Sequence, residues 1–258
     1  MGTALSTGPR LLALGEGAWT LEMSPTATDE ASKLVMALAH QLEAQPQALQ
    51  KLGPVTDVVV SFRSLTVHFD PLSADGEALG QQLLAWALEA RPRERTGRRW
   101  RLPLCCDPSV APDLLDLAAA KGLSPEALTA QLLACQLRVA MIGFMPGFPY
   151  MTGLPAALAL PRRAVPRKAV PARSVAVAGE MACIYPWESP GGWHLLGRCP
   201  VPMFELSHPQ QAAWLQAGDE VQWQAISLDD CAAWDQRVQR GQWQREDFLL
   251  SALEEPGS

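Results

Sequence analysis

Four stretches of this sequence combine ligand-binding residue types with a backbone that cannot continue regular pairing. The first is Gly143-Phe-Met-Pro-Gly-Phe-Pro-Tyr150. Proline donates no N–H, so a strand entering Pro146 and Pro149 must stop pairing. Phe144, Phe148 and Tyr150 are left on an irregular loop, as one wall of a binding site or as a plug at a barrel end. The second runs from Pro161 to Arg173 and carries Arg162, Arg163, Arg167, Lys168 and Arg173 with no acid. Guanidinium forks match carboxylate or phosphate geometry, and the prolines stiffen the segment, so it is either an anion site or a solvated basic loop. The third, Glu188-Ser-Pro-Gly-Gly-Trp193, turns tightly. Its glycines admit a ligand close to the backbone, and Trp193 can cover an apolar face; a plain hairpin turn is the alternative. The fourth, Leu196-Gly-Arg198, ends a strand on a single cation, available for an anion or for a salt bridge. His68 and His194 are acid/base candidates without a nucleophile partner in sequence, so no catalytic residue is assigned. There is no GxxxxGK[ST] loop, no GxGxxG and no HExxH.

These stretches must be held by regular elements. An amphipathic helix is expected over 28–45, capped by Thr28 or Asp29, with Ala31, Leu34, Val35, Leu38 and Leu42 on one stripe. Strands are expected at Trp19–Met23, Thr56–Phe62 and Leu65–Phe69, and a helix at Asp75–Glu89. In Leu65–Phe69 the alternation buries Leu65, Val67 and Phe69. This order predicts a small sheet with helices on one face. Residues 91–101 then hold six arginines and read as a solvated linker. Beyond it come a strand at Trp100–Leu104 and two helices. Gly122 provides a left-handed C-cap, and Ser124-Pro125 starts the second helix. From residue 138 short strands alternate with Pro/Gly turns: Val139–Phe144, Ser174–Ala178, Ala182–Tyr185, Trp193–Leu196 and Val221–Ile226. That pattern predicts a barrel or sandwich, with most of a closed barrel over 138–226. Asp229–Arg240 is a late helix. The organisation is therefore α+β, with an N-terminal α+β domain (a small α/β sandwich) at 9–92, a β-barrel domain at 98–240 and a tail at 241–258.

Composition narrows the function classes. The 258 residues are 48% apolar and 19% charged, enough for buried cores and too apolar for a disordered chain. No apolar run is long enough to span a membrane, and Leu11–Leu14 is too short for a signal-peptide core. The net charge of −6 argues against nucleic-acid binding. The six cysteines show neither Cys-x-x-Cys nor a nearby His, so no metal site is expected and the thiols should be reduced and mostly buried. Met1-Gly-Thr-Ala-Leu-Ser6 fits a myristoylation pattern that is short enough to arise by chance. A cytoplasmic protein is expected.

The run from Gly143–Tyr150 through Gly153-Leu154, Pro161-Arg-Arg163, Pro166-Arg167, Val170-Pro171, Ser174–Gly179, Ile184-Tyr-Pro186 and Ser189–Trp193 to Leu196-Gly-Arg198 resembles the family of 5-oxoprolinase B subunits. That family includes KipI kinase inhibitors and the so-called allophanate hydrolase subunit 1. Ser61–Leu65, Val67–Pro71 and Gly122–Glu126 match its earlier landmarks. The resemblance covers nearly the whole chain. It implies an N-terminal α+β domain and a C-terminal cyclophilin-like β-barrel, without implying prolyl isomerase activity.

It further implies a component that acts with homologues of the C and A subunits to open 5-oxo-L-proline to L-glutamate at the expense of ATP, with Mg as the usual companion of ATP, and that is inactive alone. On that reading Arg162, Arg167 and Arg198 clamp anions, Ser189, Gly191 and Gly192 line the substrate turn, and Phe144, Phe148, Tyr150 and Trp193 exclude water. Phe148, Tyr150, Arg162, Arg167, Gly191, Gly192, Trp193 and Arg198 are expected to converge on one pocket or groove at a barrel end. The ligand is a small carboxylate, with neither nucleic acid nor membrane as partner. Two alternatives use the same fold: a regulatory inhibitor of a sensor histidine kinase, and a carboxyltransferase-type part of a urea carboxylase. The sequence departs from the family at Leu132 (usually His), Arg173 (usually Gly), Glu180-Met181 (usually Gly-Gln) and Cys106-Asp-Pro108 (usually Tyr-Gly-Gly). An Arg173–Glu180 ion pair closing the pocket would explain two of these departures together.

Overall fold

The computed structural model describes residues 8–92, 97–207 and 211–250. The myristoylation pattern at 1–6 and positions 93–96 of the arginine run lie outside the described residues. The chain divides into two compact units, Met1–Arg95 and Thr96–Ser258.

In the first unit, β1 (Arg10–Ala13), β2 (Ala18–Glu22), β3 (Val55–Val60) and β4 (Ser64–Phe69) form an antiparallel sheet in the order β1-β2-β4-β3. Between them lie α1 (Asp29–Ala44) and the short α2 (Pro46–Gln50), and α3 (Gly76–Glu89) follows. Thr28 Oγ1 accepts the Ala31 N–H at 3.1 Å and Asp75 Oδ1 accepts the Ala78 N–H at 3.0 Å, so both long helices start on side-chain caps. Leu65, Val67 and Phe69 alternate onto the face that meets Val35, Leu38, Leu42, Leu79 and Leu83. Each such side chain contributes roughly 1.5–3 kcal/mol by leaving water. β1 goes beyond the strands that the sequence announces. Its residues show no alternation, and its register is fixed by β2, from Arg10 opposite Glu22 to Ala13 opposite Trp19.

The second unit begins with β5 (Arg99–Leu104), α4 (Leu114–Lys121) and α5 (Pro125–Leu133). Gly122 ends α4 at φ 64°, and Ser124 Oγ caps α5 at the Ala127 N–H. Then follow β6 (Leu137–Ile142), β7 (Pro149–Thr152), β8 (Arg167–Val170), β9 (Ser174–Ala178), β10 (Met181–Ile184), β11 (Ser189–Gly191), β12 (His194–Arg198), β13 (Glu220–Ala225) and α6 (Leu228–Gln239). Seven strands pair in the order β12-β9-β10-β7-β6-β13-β5, all antiparallel except β13 with β5. The sheet curls until its two edges meet. The Cys105 N–H donates to the Arg198 carbonyl at 2.9 Å, and the Arg198 N–H to the Cys105 carbonyl at 2.8 Å. At this seam Gly197 leaves room that a side chain would take, since a Cβ there would lie 2.7 Å from the Cys105 carbonyl oxygen.

β9 is buried at every position because both of its faces are covered. Val175 and Val177 join the main core with Met151, Ile184 and Leu196, and with Leu117 and Leu128 from α4 and α5. Ala176 and Ala178 face a second cluster with Cys183, Tyr185, Leu195 and Trp193. The ribbon of β8 and β11 closes over this second face through Val170.

The segment 241–258 is not a tail over its described part. Residues Arg245–Phe248 form a turn of 3₁₀ helix, and Phe248 packs its ring against Trp214, Trp234 and Trp243. The Leu250 N–H donates to the Arg99 carbonyl at 2.8 Å, lengthening the edge at β5. These contacts are with residues far away in sequence, which composition does not reveal. All six cysteines are free thiols, Cys106 half-buried and the others buried. Among the described residues no helix is long and apolar enough to cross a membrane.

Candidate functional site

A pocket of about 250 Å³ lies between the second face of the sheet and the segments that flank the ribbon. Phe148, Tyr150, Tyr185 and Trp193 form the sheet side, with Phe144 at the rim. The rings touch in sequence: Phe144 to Phe148 at 5.4 Å, Phe148 to Tyr150 at 4.8 Å, Phe148 to Tyr185 at 5.0 Å and Tyr150 to Trp193 at 5.8 Å between centroids. Arg162, Arg163, Pro166, Pro190, Gly191 and Gly192 form the opposite wall.

The turn before β7 is shaped by two residues with positive φ, Phe144 at 69° and Gly147 at 75°. A Cβ at Gly147 would meet the Met203 carbonyl oxygen at 2.7 Å, so glycine is required there. Phe144 holds a left-handed backbone while its side chain is 67% exposed, with its ring edge-on to Phe148.

The basic wall is fixed by one carboxylate. Asp113, at the start of α4, is 4% exposed. Its Oδ1 accepts from Arg163 Nη1 at 2.9 Å and from Arg167 Nη2 at 2.7 Å, and its Oδ2 accepts the Leu195 N–H at 2.7 Å. Burial pushes this carboxyl up, but the Arg167 hydrogen bond, the Leu195 N–H and the two guanidinium charges together outweigh it and hold it below the usual carboxylate range. Two cations on one anion leave an excess positive charge, and Arg163 Nε and Arg167 Nη1 are buried without a hydrogen-bond partner. The Arg163 N–H also donates to the Gly192 carbonyl at 2.7 Å, tying the basic segment to the glycine turn. Arg162 lies over the Trp193 ring, 6.0 Å from its centroid, and makes no ion pair among the described residues.

The residues singled out from sequence divide. Phe148, Tyr150, Arg162, Gly191, Gly192 and Trp193 share this pocket. Arg167 stands behind the wall, committed to Asp113. Ser189 starts β11, and its buried hydroxyl has no partner, but it does not line the cavity. Arg198 is elsewhere. It forms a two-pronged pair with Asp235 of α6, at 2.8 Å for each contact, beside the barrel seam. Arg173 joins the same carboxylate at 2.9 Å and donates to the Pro200 carbonyl at 2.6 Å. The expected Arg173–Glu180 pair is therefore absent, and Glu180 is exposed. Arg173 sits at φ 69°, a conformation that glycine adopts without strain. The pocket also lies on a sheet face rather than at a barrel end, because the β8–β11 ribbon creates a second covered surface there. None of Leu132, Arg173, Glu180, Met181 or Cys106 lines it, and Leu132 is a fully buried core residue.

Three contributors carry little signal in the sequence. Asp113 resembles any acid at a helix start. Arg163 stands out only as one member of a basic run. Tyr185 follows an ordinary apolar strand, and only its place beside Pro186 marks it.

The carboxyltransferase domain family, subdomains C and D, matches residues 9–215. The 5-oxoprolinase B subunit of Haemophilus influenzae is 33% identical over 211 residues, covering 82% of this chain and 95% of that protein. The Bacillus subtilis protein of the same name is 30% identical over 234 residues, covering 86% and 94%. Among solved structures, TTHA0988 superposes with a TM-score of 0.68 at 33% identity over 81% of this chain, which spans 40% of that longer one. The Kluyveromyces lactis urea amidolyase superposes at 0.75 over 94% of this chain and 16% of its own, and its 18% identity speaks for the shared fold alone. A family match over four-fifths of the sequence and relatives matched over nearly their full length point the same way: the chain belongs to the carboxyltransferase subdomain C and D family, among the 5-oxoprolinase B subunits.

Proposed function

We propose that this chain is the B subunit of an ATP-dependent 5-oxoprolinase and that the aromatic pocket receives 5-oxo-L-proline. The observation that carries the reading is a small cavity with aromatic walls and an excess of guanidinium charge, in a chain whose relatives bear that name. The ligand is a flat ring with one carboxylate. Arg162 and Arg163 supply the cationic wall, and the rings of Phe148, Tyr150 and Trp193 cover the ring faces and keep water out.

A lactam resists hydrolysis because its amide is resonance-stabilised. Transfer of the terminal phosphoryl group from ATP to the amide oxygen releases ADP and makes the ring carbon electrophilic. Water adds to that carbon, the C–N bond breaks as the nitrogen takes up a proton, and the resulting acyl phosphate is hydrolysed by a second water to glutamate and phosphate. Among the described residues no Asp, Glu or His lines the pocket. The groups that move protons and hold ATP therefore come from outside it, and the partner C and A subunits are their proposed source. The cavity is also smaller than the roughly 300–1,000 Å³ that drug-sized ligands occupy, which suits a small ring rather than a nucleotide. The location follows as cytoplasmic, where ATP is abundant.

The test is reconstitution. Co-purified with homologues of the A and C subunits, the chain should support ATP-dependent release of glutamate from 5-oxo-L-proline, and by itself it should not. Arg162→Ala should raise KM with the fold intact. Turnover by the single chain, or none by the complete complex, would overturn the proposal.

A further inference from the structure

We infer that Tyr185 is the specificity-determining hydrogen-bond donor of the pocket, reading a neutral acyl oxygen on a ligand whose carboxylate is held by the arginine wall. The inference rests on the pocket being a lactam site, and it adds how that lactam is told from other small carboxylates.

Tyr185 is 2% exposed and follows β10, with its ring edge-to-face against Phe148 and its body in the second core cluster. Its hydroxyl lies over Gly191: a Cβ built there would be 2.3 Å from the phenol oxygen. Residue 191 must therefore be glycine for the hydroxyl to occupy its place, and both residues line the cavity. The aromatic pocket thus has a polar atom set into its wall at a position that the opposite strand is built to accommodate. Among the described residues nothing hydrogen-bonds to that hydroxyl, although the side chain is buried. A hydroxyl on a largely buried ring that opens on a cavity and bonds to nothing else in the described chain has its donor free for a ligand.

The chemistry of the donor selects the acceptor. Burial, with smaller contributions from Cys183 and Tyr150, pushes the Tyr185 phenol well above its usual value, so it stays a neutral O–H donor at every physiological pH. Arg162 and Arg163 hold the carboxylate by charge, which leaves the Tyr185 O–H for the uncharged carbonyl. The two kinds of recognition stand in one cavity: the Tyr185 ring belongs to the sheet side, its hydroxyl reaches Gly191, and Arg162 and Arg163 line the same wall as Gly191. The ligand class is therefore a small ring with an anionic end and a neutral acyl oxygen. A site that provides a buried donor discriminates strongly against analogues lacking the acceptor, because the donor is then left unpaired.

The experiment is an NMR titration of the purified full chain with 5-oxo-L-proline and with cyclopentanecarboxylate, which keeps the ring and the carboxylate but has no acyl oxygen. Wild type should prefer 5-oxo-L-proline by tenfold or more. Tyr185→Phe should erase most of that preference, weakening 5-oxo-L-proline binding about five- to tenfold and leaving cyclopentanecarboxylate unchanged. Gly191→Ala, which displaces the hydroxyl while keeping it present, should do the same. Arg162→Ala should weaken both ligands alike. If both ligands bind and both respond to Arg162→Ala, but Tyr185→Phe and Gly191→Ala keep the wild-type preference, the role of Tyr185 is wrong and the pocket reading stands. If wild type binds neither ligand, the pocket reading falls, and the Tyr185 role with it.

Discussion

Asp113→Asn tests the idea that one carboxylate organises the basic wall. The substitution keeps the shape and removes the charge. Asp113 accepts three short hydrogen bonds, two of them from guanidinium groups, at a site 4% exposed. Removing one member of a buried ion pair costs about 3–5 kcal/mol. Here the cations are not sealed, since the Arg163 and Arg167 side chains are 34% and 23% exposed, and water recovers part of the loss. Asparagine also retains one acceptor oxygen. The expected cost is about 2–4 kcal/mol, a fall in Tm of roughly 5–15 °C for a unit of this size. Urea unfolding followed by tryptophan fluorescence suits the question, because seven of the nine tryptophans lie in the second unit. The pH dependence supplies a second arm. Because the folded carboxyl is held below its usual value, its stabilisation is complete above the unfolded pKa of about 3.9 and is lost as pH falls through the depressed folded value. The gap between wild type and variant should be constant from neutral to mildly acidic pH and then close in strong acid. A variant within about 0.5 kcal/mol of wild type at neutral pH, or a gap that widens on acidification, would refute the reasoning.

At Arg173 the positive φ costs a non-glycine residue about 1–2 kcal/mol, offset by the contacts with Asp235 and Pro200. Arg173→Ala loses the contacts and keeps the strain, so Arg173→Gly should be the more stable variant by about 1 kcal/mol; thermal unfolding giving the reverse order would contradict this. Gly197→Ala places a methyl 2.6 Å from Leu104 Cδ1 and 2.7 Å from the Cys105 carbonyl oxygen, and should cost roughly 1–3 kcal/mol in urea unfolding by prising open the barrel seam. Burial pushes the Cys106 thiol up to about 12. At pH 8 its thiolate should be on the order of a thousandfold scarcer than on an exposed cysteine, and alkylation followed by mass spectrometry should leave Cys106 unmodified while the protein is folded.

What is legible in the sequence is local. Thr28, Asp75, Gly122 and Ser124 are capping residues whose partners lie within a few positions, so α1, α3, α4 and α5 can be read with their ends. The apolar alternation in β4 is readable for the same reason. The ribbon is not. β8 carries Arg167-Lys168 and β11 contains Pro190, so neither has strand character of its own; each is a strand only because the other pairs with it. Without the ribbon there is no second covered face, and the sequence then points to a barrel end for the pocket. In the sequence Arg198 is open to an anion or to a salt bridge, because its partner, Asp235, lies 37 residues onward on a helix whose docking no local pattern encodes. Arg162 and Trp193 are legible because a proline-stiffened cationic segment and a glycine turn are unusual enough to stand out before any fold is known.

The parallel pairing of β5 with β13 bears on how the second unit comes into being during synthesis. Arg99 faces Glu220 and Leu104 faces Ala225, so β5 emerges from the ribosome about 120 residues before its ladder partner. The hairpin of β9 and β10 closes locally, with only Gly179 and Glu180 between its strands, and can form early. β5 cannot do the same, since closing so long a loop has to precede any gain from pairing. Until β13 arrives, an edge bearing the apolar Trp100, Leu102 and Leu104 stands unpaired, open to strand addition by other nascent chains. Yield of the recombinant protein should therefore depend on translation rate and chaperone supply more than its finished stability would imply.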